Sequence, residues 1–399
     1  MSESKMPLPS EVALIFELLT NAGHRADIVG GCTRDFLLGK VPSDYDITTD
    51  ATPEEMLRIF SEYKTVPTGI QHGTVSVIIG RTQYEITTYR VDGDYKDHRH
   101  PDGVCFTRSL DEDLARRDFT MNAICYNRVD GFTDRFGGIK DIESGVIRAV
   151  GNPTQRFRED ALRILRAIRF SATLGFSIEK NTASAARAQA SLLKDVSAER
   201  TYTEWKKLIL GISALDVLRD YNDIIAVFIP QLKNIRLPEK TRFYSEDFII
   251  RICAIFALSV DDPSGAFLAS MEQLKTDTKT KKLGAAILKN FEYCDTDNDV
   301  GLKKLLIDIG FEAAAGVMRL RRLLGRETDE RVERLSYLAK NSVWRVCDLD
   351  IDGNDLIALG VGGAAIGKIL QSLLVSVVKE ECDNEKLSLL KLAKELKGV

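Results

Sequence analysis

Val29-Gly30-Gly31-Cys32-Thr33-Arg34-Asp35-Phe36-Leu37, followed six residues later by Ser43-Asp44-Tyr45-Asp46-Ile47-Thr48-Thr49, is the stretch on which the reading of this chain turns. Asp27–Gly30 forms a short β-like run, the paired glycines make a turn, and the residues after them suit a helix. Glycine at a strand-to-helix turn lets the backbone approach a ligand closely, and the N-terminus of the helix that follows favours phosphate. Arg34, on the first turn of that helix, adds a charged fork suited to a triphosphate. Asp44 stands 13 residues beyond Gly31. Alternate residues of a strand point to one side, so Asp44 and Asp46 present two carboxylates together at the start of a strand over Tyr45–Thr49. Hard oxygen donors at that spacing suit Mg²⁺, and a pair of such ions clamps the attacking and leaving oxygens of a phosphoryl displacement. In isolation the same acidic pair also describes a solvated loop.

Outward from this stretch, the first ~150 residues mix short strands with helices. Thr52–Glu62 opens with Thr-Pro-Glu-Glu, a helix start signal. Thr74–Ile79 (TVSVII) and Tyr84–Arg90 (YEITTYR) read as strands joined through Gly80-Arg81-Thr82-Gln83 in a hairpin, and Ala123–Asn127 adds another strand. Beyond ~150 the period becomes helical almost throughout, broken at Gly175, Pro230, Pro238 and Pro263. The expected class is α+β: a mixed-sheet head followed by an all-helical remainder.

Composition narrows the function. The 399 residues are 44% hydrophobic and 29% charged, ordinary for a globular chain of two to four domains. No apolar run is long enough to span a bilayer, and the first residues lack the pattern of a secretory signal, so a cytoplasmic setting is expected. The seven cysteines (32, 105, 125, 253, 294, 347 and 382) show no paired spacing and read as reduced thiols. A net charge of −4 argues against wholesale coating of nucleic acid but leaves room for a local basic stripe. All four histidines lie within the first 100 residues, which excludes a His-Asp phosphohydrolase module from the C-terminal part.

Two further stretches carry chemistry. In Arg116-Arg117-Asp118-Phe119-Thr120-Met121-Asn122, Arg117 suits a phosphate or sugar edge, while Asp118 and Asn122 can bond ribose hydroxyls; a surface ion-pair cluster is the other reading. In Arg158-Glu159-Asp160-Ala161-Leu162-Arg163-Ile164-Leu165-Arg166-Ala167-Ile168-Arg169-Phe170, helical spacing gathers Ala161, Ile164, Leu165 and Ile168 on one side. Asp160, Arg163, Arg166 and Arg169 share the other, with Leu162 and Phe170 as exceptions. A solvated arginine face accounts for this pattern. So does base reading: Asp160 accepts and Arg163 donates one helical turn away, matching the amino group and ring nitrogen of cytosine or adenine. Uracil and guanine would turn a carbonyl oxygen toward the carboxylate, and a mismatched buried polar group costs roughly 1–3 kcal/mol.

The glycine turn, short helix and D-x-D together resemble the core of the DNA-polymerase-β-like nucleotidyltransferases. That resemblance implies a third carboxylate on a neighbouring strand. Glu85 is the candidate, with an exposed strand position facing Arg90 or a lysine as the alternative. VGGCTRDFLLG, SDYDI, RRDFTMNA, GNPTQRFREDALRILRAIRFSATLGF and SAERTYTEWKKLI, in this order over roughly the first 210 residues, resemble the five motifs of class II tRNA nucleotidyltransferases, the bacterial and eukaryotic CCA-adding enzymes. The resemblance implies a catalytic head (1–150), a neck carrying the base-reading helix (151–215), a helical body (216–290) and a tRNA-binding tail (291–399). It implies metal at Asp44 and Asp46, and nucleotide at Gly30, Gly31, Arg34 and Arg117. Asp160 and Arg163 would read the base with Arg166 and Arg169 in support, and Glu199 and Arg200 would brace the neck. CTP, ATP and the tRNA 3′ end would be its partners, with neither a membrane nor an obligate protein partner.

Three activities share this core. Poly(A) polymerases carry a Gly-Arg-Arg-Phe-type segment where this chain reads Gly80-Arg81-Thr82-Gln83-Tyr84. CC-adding enzymes lack the loop that here runs full length over Val91–Gly103, with Lys96, Arg99 and His100 as its basic members. A-only enzymes keep that loop, so A-only addition stays open beside full CCA addition. Near the C-terminus, Gly360–Lys368 is either a glycine-rich turn for an RNA phosphate or a plain helix connection. Lys281, Lys282, Arg321, Arg322 and Lys368 are RNA-contact candidates or solvated faces.

Overall fold

The computed structural model describes residues 5–42, 44–92, 104–237, 247–292 and 298–397, which fall into two compact units, 1–230 and 231–399. Lys96, Arg99 and His100 lie outside the described residues.

The first unit is built on a seven-stranded sheet. Its strands are β1 (Ala26–Val29), β2 (Ile47–Thr49), β3 (Lys64–Gly69), β4 (Thr74–Ile79), β5 (Thr82–Thr88), β8 (Ile124–Asn127) and β9 (Gly131–Asp134). The ribbon β6 (Arg90–Asp92) with β7 (Val104–Phe106) stands apart from that sheet. The spatial order is β3-β4-β5-β2-β1-β8-β9. β2 and β5 run parallel and the other neighbours antiparallel, which makes the sheet mixed as expected.

Alternation explains the hairpin: Val75, Val77 and Ile79 of β4, with Tyr84 and Ile86 of β5, point into one core with Ile28, Ile47, Met56 and Phe60. The turn is tighter than the sequence suggested, because β5 begins at Thr82 and only Gly80 (φ +63°) and Arg81 connect the strands. A glycine at positive φ lets a two-residue turn follow the strand twist. The other face of the sheet packs Val29, Ala123 and Cys125 against Leu114 and Val150.

The helix after β2 is Pro53–Ile59, shorter than expected. Thr52 caps it, accepting from the Glu55 N–H (3.3 Å) while the Glu55 carboxylate accepts the Thr52 N–H (2.7 Å). β3 and β9 went unrecognised in the sequence; both are short strands without clean alternation. After residue 150 the first unit is helical (Pro153–Glu159, Leu162–Leu174, Lys180–Ala188, Ala198–Ile209, Ala214–Asp220, Asn222–Phe228) apart from a two-residue strand, Ser177–Ile178, paired with Val146–Ile147.

The second unit carries no strand among its described residues. Its helices run from Phe248–Ser259 to Lys386–Lys397. Leu356, Leu373, Leu374, Leu389 and Ala393 form one of its apolar clusters. No helix among the described residues is long and apolar enough to cross a membrane. The described cysteines are free thiols, in keeping with their spacing.

Candidate active site

Gly30 sits where β1 gives way to the helix Gly31–Leu37, at φ +86° and ψ −125°, a conformation that side chains resist. A β-carbon there would lie 3.6 Å from Arg117 Nη1 and 3.7 Å from Asp46 Oδ2, so a cation and an anion both come close to the bare backbone. Asp44 and Asp46 precede β2 (Ile47–Thr49), which starts two residues later than expected. The Val29 N–H still reaches the Asp46 carbonyl at 3.0 Å, so the segment continues the β1–β2 pairing. Both carboxylates are exposed, with half-buried Tyr45 between them.

Crowding by the surrounding protein pushes the Asp46 carboxyl up, the charges of Asp44 and Glu85 push it further, and Arg117 opposes them. Glu85 is exposed on β5, opposite Ser76, and is within electrostatic reach of Asp46. Among the described residues no three carboxylate, histidine or cysteine side chains form a ready-made metal cage. The Asp44 and Asp46 carboxylates with open sides fit a divalent ion whose remaining ligands come from water and a nucleotide's phosphates, as Mg²⁺ prefers.

Arg117 donates to buried Asp113 (3.0 Å), while its buried Nε has no protein partner. Burial raises the Asp113 carboxyl, but Arg117 and Arg116 together outweigh it and hold it below the usual range.

Arg34 donates through Nε and Nη2 to Asp35 (3.0 and 2.8 Å) and through Nη1 to Asn122 Oδ1 (2.9 Å). Asn122 Nδ2 donates in turn to Asp118 Oδ1 (3.0 Å), which also accepts the Phe119 N–H (2.8 Å). Asp118 Oδ2 accepts from Arg166 at 2.8 Å. Burial pushes the Asp118 carboxyl up, but Arg166, the Asn122 amide and the charge of Arg163 outweigh it and bring it down to about 2. Asp118 and Asn122, expected at ribose hydroxyls, are thus both buried and bonded to the arginines of the site.

One expectation of local structure is corrected. Asp160 does not lie on a continuous helix with Arg163. Pro153–Glu159 ends there, Asp160 is extended (φ −139°, ψ 105°), and a second helix, Leu162–Leu174, begins two residues on. The cause is the carboxylate itself: Oδ1 accepts the otherwise orphaned Leu162 N–H (3.1 Å), and Oδ2 accepts from Arg200 (2.9 Å) on the helix Ala198–Ile209. Arg163 is 8% exposed. It donates to Glu159 (2.9 Å) and to the carbonyls of Arg116 (3.0 Å) and Arg156 (3.3 Å). Ala161, Ile164, Leu165 and Ile168 fill the core as expected. The two exceptions, Leu162 and Phe170, are also buried.

Arg166 and Arg169 meet Glu204, a residue that carries no local signal of its role. It is 5% exposed on Ala198–Ile209, and it accepts from Arg169 Nε at 2.8 Å and lies 3.9 Å from Arg166 Nη1. The Asp118 charge raises Arg166, whereas burial lowers Arg169 despite Glu204. Arg200, expected to brace the neck, bonds Asp160 through Nη2, and its buried Nη1 has no hydrogen-bond partner among the described residues.

The remaining candidates lie in the second unit. Lys281 is half-buried and Lys282 exposed on Thr278–Asn290. Arg321 donates to the Phe291 carbonyl (3.0 Å), and exposed Arg322 pairs with Asp329 (2.9 Å). Lys368 is exposed near the start of Ala365–Val378, with Gly360 and Gly363 at positive φ just before that helix.

Comparison with known proteins gives three matches to family models. Residues 26–148 match the poly(A) polymerase head domain, and residues 175–235 a probable RNA- and SrmB-binding site of polymerase A. Residues 251–393 match a putative second domain of tRNA nucleotidyltransferase. The chain is 36% identical to the CCA-adding enzyme of Ligilactobacillus salivarius, covering 99% of this chain and 97% of that one. It is 37% identical to the CCA-adding enzyme of Geobacillus kaustophilus, with 96% of both covered. Among solved structures it is similar to the Bacillus stearothermophilus CCA-adding enzyme in complex with CTP, at 33% identity and a TM-score of 0.81 over 98% of both chains.

Proposed function

The chain belongs to the CCA-adding enzyme family, and from that premise we propose that it adds C, C and A in turn to the 3′ end of transfer RNA, using CTP and ATP and releasing pyrophosphate. The likeness to a poly(A) polymerase head covers residues 26–148, whereas the likeness to CCA-adding enzymes runs the length of the chain. That difference supports full CCA addition over poly(A) synthesis. The curated names support it over A-only addition. Dependence on a divalent metal comes with the family; we assign Mg²⁺ as the ion and the cytoplasm as the setting.

The single observation that carries the mechanism is the seat at Gly30, with Asp46 and Arg117 both close to it. Asp44 and Asp46 would hold the metal, which when bound neutralises triphosphate charge and makes the RNA 3′-hydroxyl a better nucleophile. The 3′-oxygen forms its bond to the α-phosphorus as the α–β bridge breaks. Arg117 and Arg34 bind the triphosphate, and the backbone at Gly30–Gly31 leaves it room. Arg117 brings a buried N–H that lacks a protein acceptor. Asp118 and Asn122 border the ribose and hold Arg166 and Arg34 toward the nucleotide.

Base choice falls to Asp160 and Arg163. Arg200 restrains the Asp160 carboxylate, whose oxygens retain capacity for an incoming amino group. Arg163 has five N–H donors, of which three serve Glu159, Arg156 and Arg116, leaving two for a ring nitrogen or carbonyl. A uracil or guanine carbonyl would face the carboxylate, which is the basis for rejecting it. We assign Lys281, Lys282, Arg321, Arg322 and Lys368 to the RNA backbone.

Pyrophosphate release tests the reading. With tRNA ending at the discriminator base, CTP and ATP, release should require divalent metal and disappear in Asp46→Asn. Release without RNA, without metal, or undiminished in Asp46→Asn contradicts it.

A further inference from the structure

The phosphate-side arginine and the base-side arginines meet on one aromatic ring. Phe170 is 4% exposed near the end of the helix Leu162–Leu174. The Arg169 guanidinium carbon lies 3.5 Å from its ring centre, that of Arg34 5.1 Å and that of Arg166 5.4 Å. The ring also meets Phe119 edge-on, at 5.8 Å and 86°. A chain of polar contacts runs beside it from Arg34 to Arg169. Arg34 donates to Asn122, Asn122 to Asp118, and Asp118 accepts from Arg166. Arg166 lies beside Glu204, which accepts from Arg169. The three cations are balanced by three anions: Asp35 pairs with Arg34, Asp118 with Arg166, and Glu204 with Arg169 while lying 3.9 Å from Arg166, so that none of the three joins Arg34 to Arg169. The π face of Phe170 is the group all three guanidiniums share, and it attracts each of them without neutralising any.

We propose that Phe170 is a positioning residue for nucleotide binding, its ring fixing Arg34 against Arg166 and Arg169 so that the triphosphate and the base are gripped in one register. An apolar side chain of similar size fills the space but leaves like charges crowded and the phosphate-side arginine free to drift. This extends the CCA-addition reading and rests on it.

The clean test changes the ring's electrostatics and not its shape. Phe170→pentafluorophenylalanine reverses the quadrupole at nearly constant volume, and Phe170→Leu removes the ring. CTP affinity is measured by calorimetry without RNA, tRNA affinity by gel shift, and stability by thermal unfolding. Loss of a desolvated cation–π contact predicts a roughly five- to thirtyfold weaker CTP Kd in both variants. In the fluorinated protein the tRNA Kd should stay unchanged, while the unfolding midpoint falls, because the same contacts also hold the folded protein. A fluorinated variant that binds CTP within twofold of wild type overturns the proposal, as does one that loses CTP and tRNA affinity in parallel. If Phe170→Leu fails to fold, the fluorinated variant decides alone. A wild-type protein that binds no CTP overturns the CCA-addition reading itself, an outcome distinct from equal binding by wild type and variant.

Discussion

Glu204→Gln isolates what the buried carboxylate contributes. Glutamine keeps the side-chain shape and can still accept from Arg169 Nε, now at 2.8 Å from a carboxylate oxygen, but it removes the negative charge. Arg169 and Arg166 then share a buried site without the Glu204 charge; the side chains of Glu204 and Arg169 are 7% and 12% exposed. Breaking a buried pair by deleting one partner costs about 3–5 kcal/mol, because the remaining charge is left uncompensated. The retained hydrogen bond places this case at the lower end, about 3 kcal/mol. For a urea slope of about 3 kcal/mol per molar, the midpoint falls by about 1 M. The chain has two tryptophans, so in a Trp344→Phe background the fluorescence of fully buried Trp205, one residue from Glu204, reports the first unit alone. Adding Arg169→Gln should recover about half the loss or more, since the double change removes the stranded cation with its partner. A Glu204→Gln midpoint within about 0.2 M of the parent, a small fraction of the predicted shift, refutes the reasoning.

Three other perturbations follow from the same geometry. Gly30→Ala forces a β-carbon onto φ +86°. It should destabilise by about 1–2 kcal/mol, read as a lower melting temperature, and reduce CTP incorporation far more than that loss explains. The folded Asp118 carboxyl lies at about 2, below its unfolded value near 3.8. Its stabilisation, about 2 kcal/mol, is therefore complete above pH 4 and is lost as pH falls from about 4 to 2. Acid unfolding of Asp118→Asn should be shallower across that window, and an unchanged slope would remove Asp118 from the account. Arg200→Met releases the Asp160 carboxylate from its 2.9 Å restraint. UTP and GTP misincorporation should rise several-fold relative to CTP, and unaltered selectivity would detach Arg200 from base choice.

The head was legible because its signals are local. A glycine turn whose first member, Gly30, takes positive φ, a D-x-D beside it and the alternation of Thr74–Ile79 each act within a few residues. The break at Asp160 was not legible, because the 3.6-residue pattern runs on smoothly through Glu159-Asp160-Ala161-Leu162 with no glycine or proline. What ends the helix is a carboxylate that caps Leu162 and pairs with an arginine 40 residues away. Glu204 was hidden for the same reason. On an amphipathic helix it resembles any surface acid, and only the arrival of Arg169 from 35 residues upstream makes it a buried partner. Asp118 and Asn122 were recognised as members of the site, but their bonds to Arg166 and Arg34 arise only when the chain closes.

The central claim is ordered addition of three nucleotides, and the 3′ ends of the RNA product record it most directly. Transfer RNA ending at the discriminator base is incubated to completion with all four nucleoside triphosphates and divalent metal, and the termini are sequenced. The account predicts that the ends converge on CCA and stop there. Long A tails, A added only to transcripts already ending in CC, or ends that incorporate U or G as readily as C would contradict it.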